Sequence, residues 1–125
     1  MSAVILPGRP EAAAGARDWA AKILAGYPAA DDAIAVLNEL FVNAVQHSIS
    51  GQPGGTIEVR LTVIAASVLA EVVDEGPLGV PAVISRDTLA ERGRGLVLVD
   101  ALTKAWGSSR PGVWWFWLPL GGDPE

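Results

Sequence analysis

The sequence has no cysteine, a single histidine and no long hydrophobic run. Without cysteine there is no disulfide framework and no thiolate metal site, and a cytoplasmic location is the simplest reading. One imidazole cannot build a histidine metal cage. The longest apolar region, Leu61 to Val73, is interrupted by Thr62, Ser67 and Glu71, and it is too short to span a bilayer. A soluble protein with no membrane partner is expected. The opening residues lack a basic stretch followed by a long apolar one, so they do not read as a signal peptide. Positive charge is scarce too: 9 Lys and Arg against 14 Asp and Glu give a net charge of −5. That balance argues against nucleic acid, whose phosphates need basic patches. It leaves room for a nucleotide, because backbone N–H groups and a metal can hold phosphates.

What is present fits one domain, residues 1–125, of a size that folds without staples. Ala3 to Leu6 reads as a first strand at a sheet edge, closed by Pro7-Gly8. Glu11 to Ala25 reads as a helix stopped at Gly26-Tyr27-Pro28. Asp31 and Asp32 stand where an N-cap and first-turn acids belong, ahead of a second helix over Ala33 to Ser48. Thr56 to Val63 alternates, with Ile57, Val59, Leu61 and Val63 on one side, as a half-exposed strand does. Ser67 to Val73 is more apolar and so more central. Residues 77–92 read as a long binding loop or lid, and 95–105 as a helix opening on a glycine turn. Trp106 to Ser109 and Val113 to Leu118 read as a hairpin around Arg110-Pro111-Gly112. Blocks of helices and strands in this order imply an α+β, two-layer α/β sandwich.

Three elements carry chemistry. On the second helix Ile34, Leu37, Phe41 and Val45 form one stripe, while Glu39, Asn43, Gln46 and His47 fall on the opposite side. Asn43 is four residues from both Glu39 and His47, so the three share a neighbourhood. Solvated helix faces usually mix Lys, Arg and Glu, and an interior asparagine needs a partner. Asp74-Glu75-Gly76-Pro77 places a carboxylate at a strand end before a glycine, as a strand terminator or as a ligand-facing group. Gly93-Arg94-Gly95 opens the last helix, where unpaired N–H groups and the dipole favour phosphates.

Asn38 to His47 resembles the asparagine box of the GHKL (histidine kinase-like) ATPase superfamily. Asp74 to Pro77 resembles its first glycine box and Arg92 to Leu96 its second. The run Gly93-Arg94-Gly95-Leu96-Val97-Leu98-Val99-Asp100 is similar to that of the anti-sigma-factor serine kinases of bacterial partner switching. The resemblance implies a Bergerat-type ATP-binding fold with a mixed, mostly antiparallel sheet and helices on one face. It implies ATP and Mg²⁺ as cofactors, with Asn43 giving its side-chain oxygen to Mg²⁺ and Glu39 orienting the attacking group or accepting its proton. Asp74 would accept from the adenine amino group and Gly76 would make room for the base. His47 would stand near the pocket, and Gly93, Arg94, Gly95 and Leu96 would close on the phosphates, Arg94 being alternatively a surface lid residue. The implied activity is serine/threonine-protein kinase on an anti-anti-sigma partner, with a sigma factor as a second partner and a homodimer as the assembly. The alternative is a non-catalytic module of the same fold. Two departures bear on this choice: Leu78 stands where the first glycine box has a second glycine, and Val113 where the last strand often has threonine.

Alternation in Val113 to Leu118 puts Trp114, Phe116 and Leu118 on one face and Val113, Trp115 and Trp117 on the other. Either all of them are core, or Trp115 and Trp117 form an apolar patch on an exposed sheet face, which marks an interface.

Overall fold

A computed structural model of the protein describes residues 1–77 and 94–125, excluding the side chains of 94 and 95. The expected lid over 77–92 therefore lies outside the described residues, apart from Pro77. Strands β1 (Ser2–Pro7), β2 (Thr56–Ile64), β3 (Ser67–Val73), β4 (Ala105–Arg110) and β5 (Val113–Pro119) form a sheet in the order β1-β2-β3-β5-β4. Helices α1 (Ala13–Ile23), α2 (Ala30–His47) and α3 (Arg94–Leu102) complete the described residues, with short 3₁₀ turns at Pro10–Ala12 and Ile49–Gly51. None of these helices is long and apolar enough to cross a membrane.

Among the described residues all four strand pairings are antiparallel, in an α+β fold for which a mixed, mostly antiparallel sheet was expected. Connectivity explains it. The two helices between β1 and β2 carry the chain along the sheet and back, so β2 starts beside the end of β1, at Pro7↔Thr56. β2–β3 and β4–β5 are hairpins, and it is the second arm of the later one that lies against β3. The β2–β3 hairpin turns on Ala65 and Ala66, both with positive φ (49° and 57°). That is the backbone of a two-residue primed turn, written here without its usual Asn or Gly.

One sheet face carries the core. Ile57, Val59 and Leu61 of β2, Val68, Ala70 and Val72 of β3, and Trp114, Phe116 and Leu118 of β5 are all buried against the helices. Each large aliphatic side chain so enclosed contributes roughly 1.5–3 kcal/mol. Ala13, Ala16 and Ala20 let α1 approach α2 closely. Leu96 and Val99 of α3 join the same core. Trp106 stacks on Trp114 (centroids 6.5 Å apart, planes at 16°) and donates from Nε1 to Asp100 Oδ1 at 2.9 Å, pinning α3 to β4.

The opposite face holds Arg60, ion-paired with Glu58, then Leu69, Glu71, Trp115 and Trp117, all half-buried. Leu69 pairs with Trp117 and Glu71 with Trp115 across β3 and β5. The two tryptophans are thus on the outer face, and Trp114, Phe116 and Leu118 on the inner.

Two details of α2 differ from the expectation. The helix starts at Ala30 with Ala29 at the cap, so Asp31 and Asp32 both lie inside the first turn, and neither caps. Its buried residues are Ala33, Val36, Leu37, Leu40, Phe41, Asn43 and Ala44, while Ile34 and Val45 are only half-buried. Because α2 packs on α1, α3 and β3 at once, it buries a broad arc rather than one stripe, and Asn43 falls inside that arc.

Candidate functional site

The last turn of α2 is tied to the loop after β3. Ser48 caps the short turn at Ile49–Gly51, accepting from the Ser50 amide at 3.1 Å while its own hydroxyl donates to Ala44 O at 2.6 Å. Ser50 is fully buried, and its Oγ accepts from the Glu75 amide at 2.8 Å. Glu75 in turn accepts from the Thr56 amide through Oε1 at 2.6 Å. The Ile49 amide donates to Gly76 O at 2.8 Å, and Ser48 bridges to Pro77. Helix end, strand end and the start of β2 are thereby one joint, and residues 75–77 are bonded to residues 48–50, the turn that follows α2.

Within that joint Asp74 forms a side-chain turn. Its Oδ1 accepts from the Gly76 amide at 2.7 Å, the local pattern that Asp favours. Its own amide donates to Gly112 O at 2.7 Å, across to the β4–β5 hairpin. Burial pushes the Asp74 carboxyl above its ordinary value; the Gly76 N–H works against this and the Glu75 charge adds to it. With Oδ1 engaged, the second carboxylate oxygen is the one left for a ligand. Gly76 has φ +108°, a conformation L side chains rarely adopt, and a Cβ there would meet nothing within 4 Å. Backbone geometry, then, rather than crowding is what requires glycine at this position.

Asn43 is 9% exposed, in a helix interior beside Leu40, Phe41 and Ala44. No enclosed side-chain polar atom of the described residues lacks a hydrogen-bond partner, so the Asn43 amide, which bonds to none of their groups, still reaches the surface. Glu39, one turn earlier, is half-buried, and His47, one turn later, is exposed. The three residues expected to share a patch therefore grade from wall to solvent. Arg94 and Gly95 open α3, which packs along α2. Gly93 lies outside the described residues. Leu96 is 2% exposed and part of the core, so any ligand contact from it must use its backbone N–H, one of those a helix start leaves unpaired. Among the described residues no three His, Cys, Asp or Glu side chains cluster as a metal cage. A surface cavity of about 650 Å³, lined by Ile5, Arg9 and the turn Gln52 to Thr56 among others, includes none of these site residues.

Ser50 and Gly112 were not singled out from the sequence, and Glu75 entered only as part of the Asp74–Pro77 element. The glycine- and proline-rich composition of 50–55 and the turn signal Pro111-Gly112 mark turns there, but neither says what the turn touches.

A family model of the histidine kinase-like ATPase domain matches residues 6–112, which contain every site residue named above. The chain belongs to this family, and membership implies ATP as the ligand. Among curated proteins no sequence matches the chain.

Proposed function

We propose that this histidine kinase-like ATPase domain binds ATP with Mg²⁺ and phosphorylates a serine or threonine of an anti-anti-sigma partner, holding a sigma factor when that partner is unavailable. The observation that carries the reading is the largely buried Asn43 one helical turn from half-buried Glu39, on the helix whose following turn is bonded to residues 75 and 76. Asp74 would take the adenine amino group on its free oxygen. The α3 start would present backbone N–H groups to the phosphates.

Mg²⁺ fits this chemistry. It takes few protein oxygens and keeps the rest of its shell for water and phosphate, and a single amide oxygen from Asn43 suits it better than a carboxylate cage. When bound, it would neutralise charge on the phosphate oxygens. Glu39, half-buried one helical turn before Asn43, would orient the incoming hydroxyl or take its proton. As the hydroxyl oxygen bonds to the γ-phosphorus, the bond to the ADP oxygen breaks and the hydroxyl proton passes to Glu39.

A homodimer would form through the outer sheet face, where Trp115, Trp117 and Leu69 adjoin. One specific observation favours the alternative, a non-catalytic binding module: Val113, buried at the β5 start, offers no hydroxyl where related kinases often have threonine.

Thermal shift with ATP, with and without Mg²⁺, is the test of binding. Ligand at a hundred times its Kd adds about 2.7 kcal/mol, or several degrees for a domain of this size. Binding without phosphate transfer to antagonist-type proteins encoded in the same genome would leave the module reading. No shift would remove the kinase reading and leave a module that works by protein contacts alone.

A further inference from the structure

We propose that Gly112 is a positioning residue for base recognition: it holds the Asp74 carboxylate in register through the β4–β5 hairpin. The proposal rests on the nucleotide reading above and extends it to a residue that touches no ligand. Gly112 O accepts from the Asp74 amide at 2.7 Å. A Cβ on Gly112 would lie 2.9 Å from Asp74 O, 3.2 Å from Asp74 Oδ1 and 3.4 Å from the Gly76 amide nitrogen. Those three atoms are the turn that aims the carboxylate. Contacts under 3.0 Å to backbone are not tolerated without a shift, and the shift here falls on the Asp74 turn rather than on a flexible side-chain end. The hairpin tip lies directly against the Asp74–Gly76 hydrogen bond, and only a residue without a side chain leaves that bond undisturbed.

Gly112 also has φ +87°, so any substitution carries backbone strain as well as contact. Gly54 separates the two effects. Its φ is +82°, and a Cβ there would meet nothing within 4 Å. Gly54→Ala therefore carries the strain of Gly112→Ala without the contact.

The test is titration of wild type, Gly54→Ala, Gly112→Ala and Asp74→Asn with ATP and with purine riboside triphosphate, which lacks the 6-amino group. Wild type should prefer ATP. Gly54→Ala should keep that preference. Gly112→Ala should lose most of it, by roughly tenfold or more in Kd for ATP, with little change for the des-amino nucleotide. Gly112→Ala on top of Asp74→Asn should add nothing, since both act at one carboxylate. If wild type does not prefer ATP, or Asp74→Asn keeps the preference, the base-binding reading itself fails. If Asp74→Asn loses it and Gly112→Ala keeps it, only the positioning role fails. Should Gly112→Ala not fold, Gly112→Asn brings the same Cβ on a residue that accepts positive φ more readily. If neither folds while Gly54→Ala does, Gly112 serves the fold rather than the carboxylate, and the proposal is wrong.

Discussion

Asp74→Asn separates binding from folding at a single atom. The substitution keeps Oδ1, so the hydrogen bond from the Gly76 amide at 2.7 Å can persist, and so can the backbone bond to Gly112. It puts an NH₂ group where the free carboxylate oxygen stood, facing the adenine amino group donor to donor. A charged hydrogen bond lost in an enclosed site is worth about 1–3 kcal/mol, or ~5- to 150-fold in Kd. The free protein should not suffer. The Asp74 carboxyl is raised above its ordinary value chiefly by burial. A raised acid binds its proton more tightly folded than unfolded, so its contribution to stability declines as pH rises from the unfolded value through the folded one. Above that window the ionised, half-buried carboxylate is a standing cost that asparagine removes. Unliganded Asp74→Asn should then melt at or above the wild-type temperature at pH 7. ATP affinity of wild type, relative to the mutant, should rise with pH through the same window and level off above it. Calorimetric titration across pH and thermal melts without ligand measure both. Equal ATP affinity in mutant and wild type at pH 7 would refute the base-binding role, and a mutant that melts well below wild type would refute the placing of the carboxylate at a cost.

Asn43→Ala should abolish the difference between ATP binding with and without Mg²⁺ in calorimetry, while Glu39→Gln should keep binding and lower phosphate transfer by about 10²–10⁴; equal loss of binding in both would undo the division of roles. Trp117→Glu, on the outer sheet face, should give a folded monomer with ATP binding intact, read by sedimentation; a wild-type monomer at high micromolar concentration would count against the dimer. Ala65→Asn with Ala66→Gly should stabilise the domain, because alanine in the left-handed region costs roughly 1–2 kcal/mol per residue. A melting temperature that does not rise would mean the turn relaxes away from positive φ in solution.

Strands were legible where their two faces see different surroundings. Ile57, Val59 and Leu61 are buried and Glu58, Arg60 and Thr62 are not, so a period of two reports the fold directly. The same holds for β5, where one face meets the helices and the other does not. The Ala65-Ala66 turn is visible only as the gap between two strand patterns, because alanine carries no turn signal and its positive φ is imposed by the hairpin around it. The second helix defeated a one-stripe reading for the opposite reason: it is surrounded. A helix packed on a sheet strand and two helices buries most of its circumference, so weighting Ile34 and Val45 and passing over Val36, Leu40 and Ala44 rotated the inferred stripe.

Val36, Leu40, Asn43 and Ala44 recur at spacings of three and four, which sets Asn43 among core positions instead of on a solvated face. An asparagine on a solvated face needs no explanation, whereas one set among core positions of a helix does, because asparagine is a poor helix-interior residue. The residues around Asp74 could not be found in this way. Ser50, Glu75 and Gly112 come from three separate loops and meet through single hydrogen bonds. No periodicity links positions 50, 75 and 112; the bonds from the turn after α2 bring 50 to 75, and the return of β5 to the side of β3, at Val73↔Val113, brings 112 to 74. The carboxylate's chemistry was readable at one position in the sequence, but what aims it is a property of the strand order.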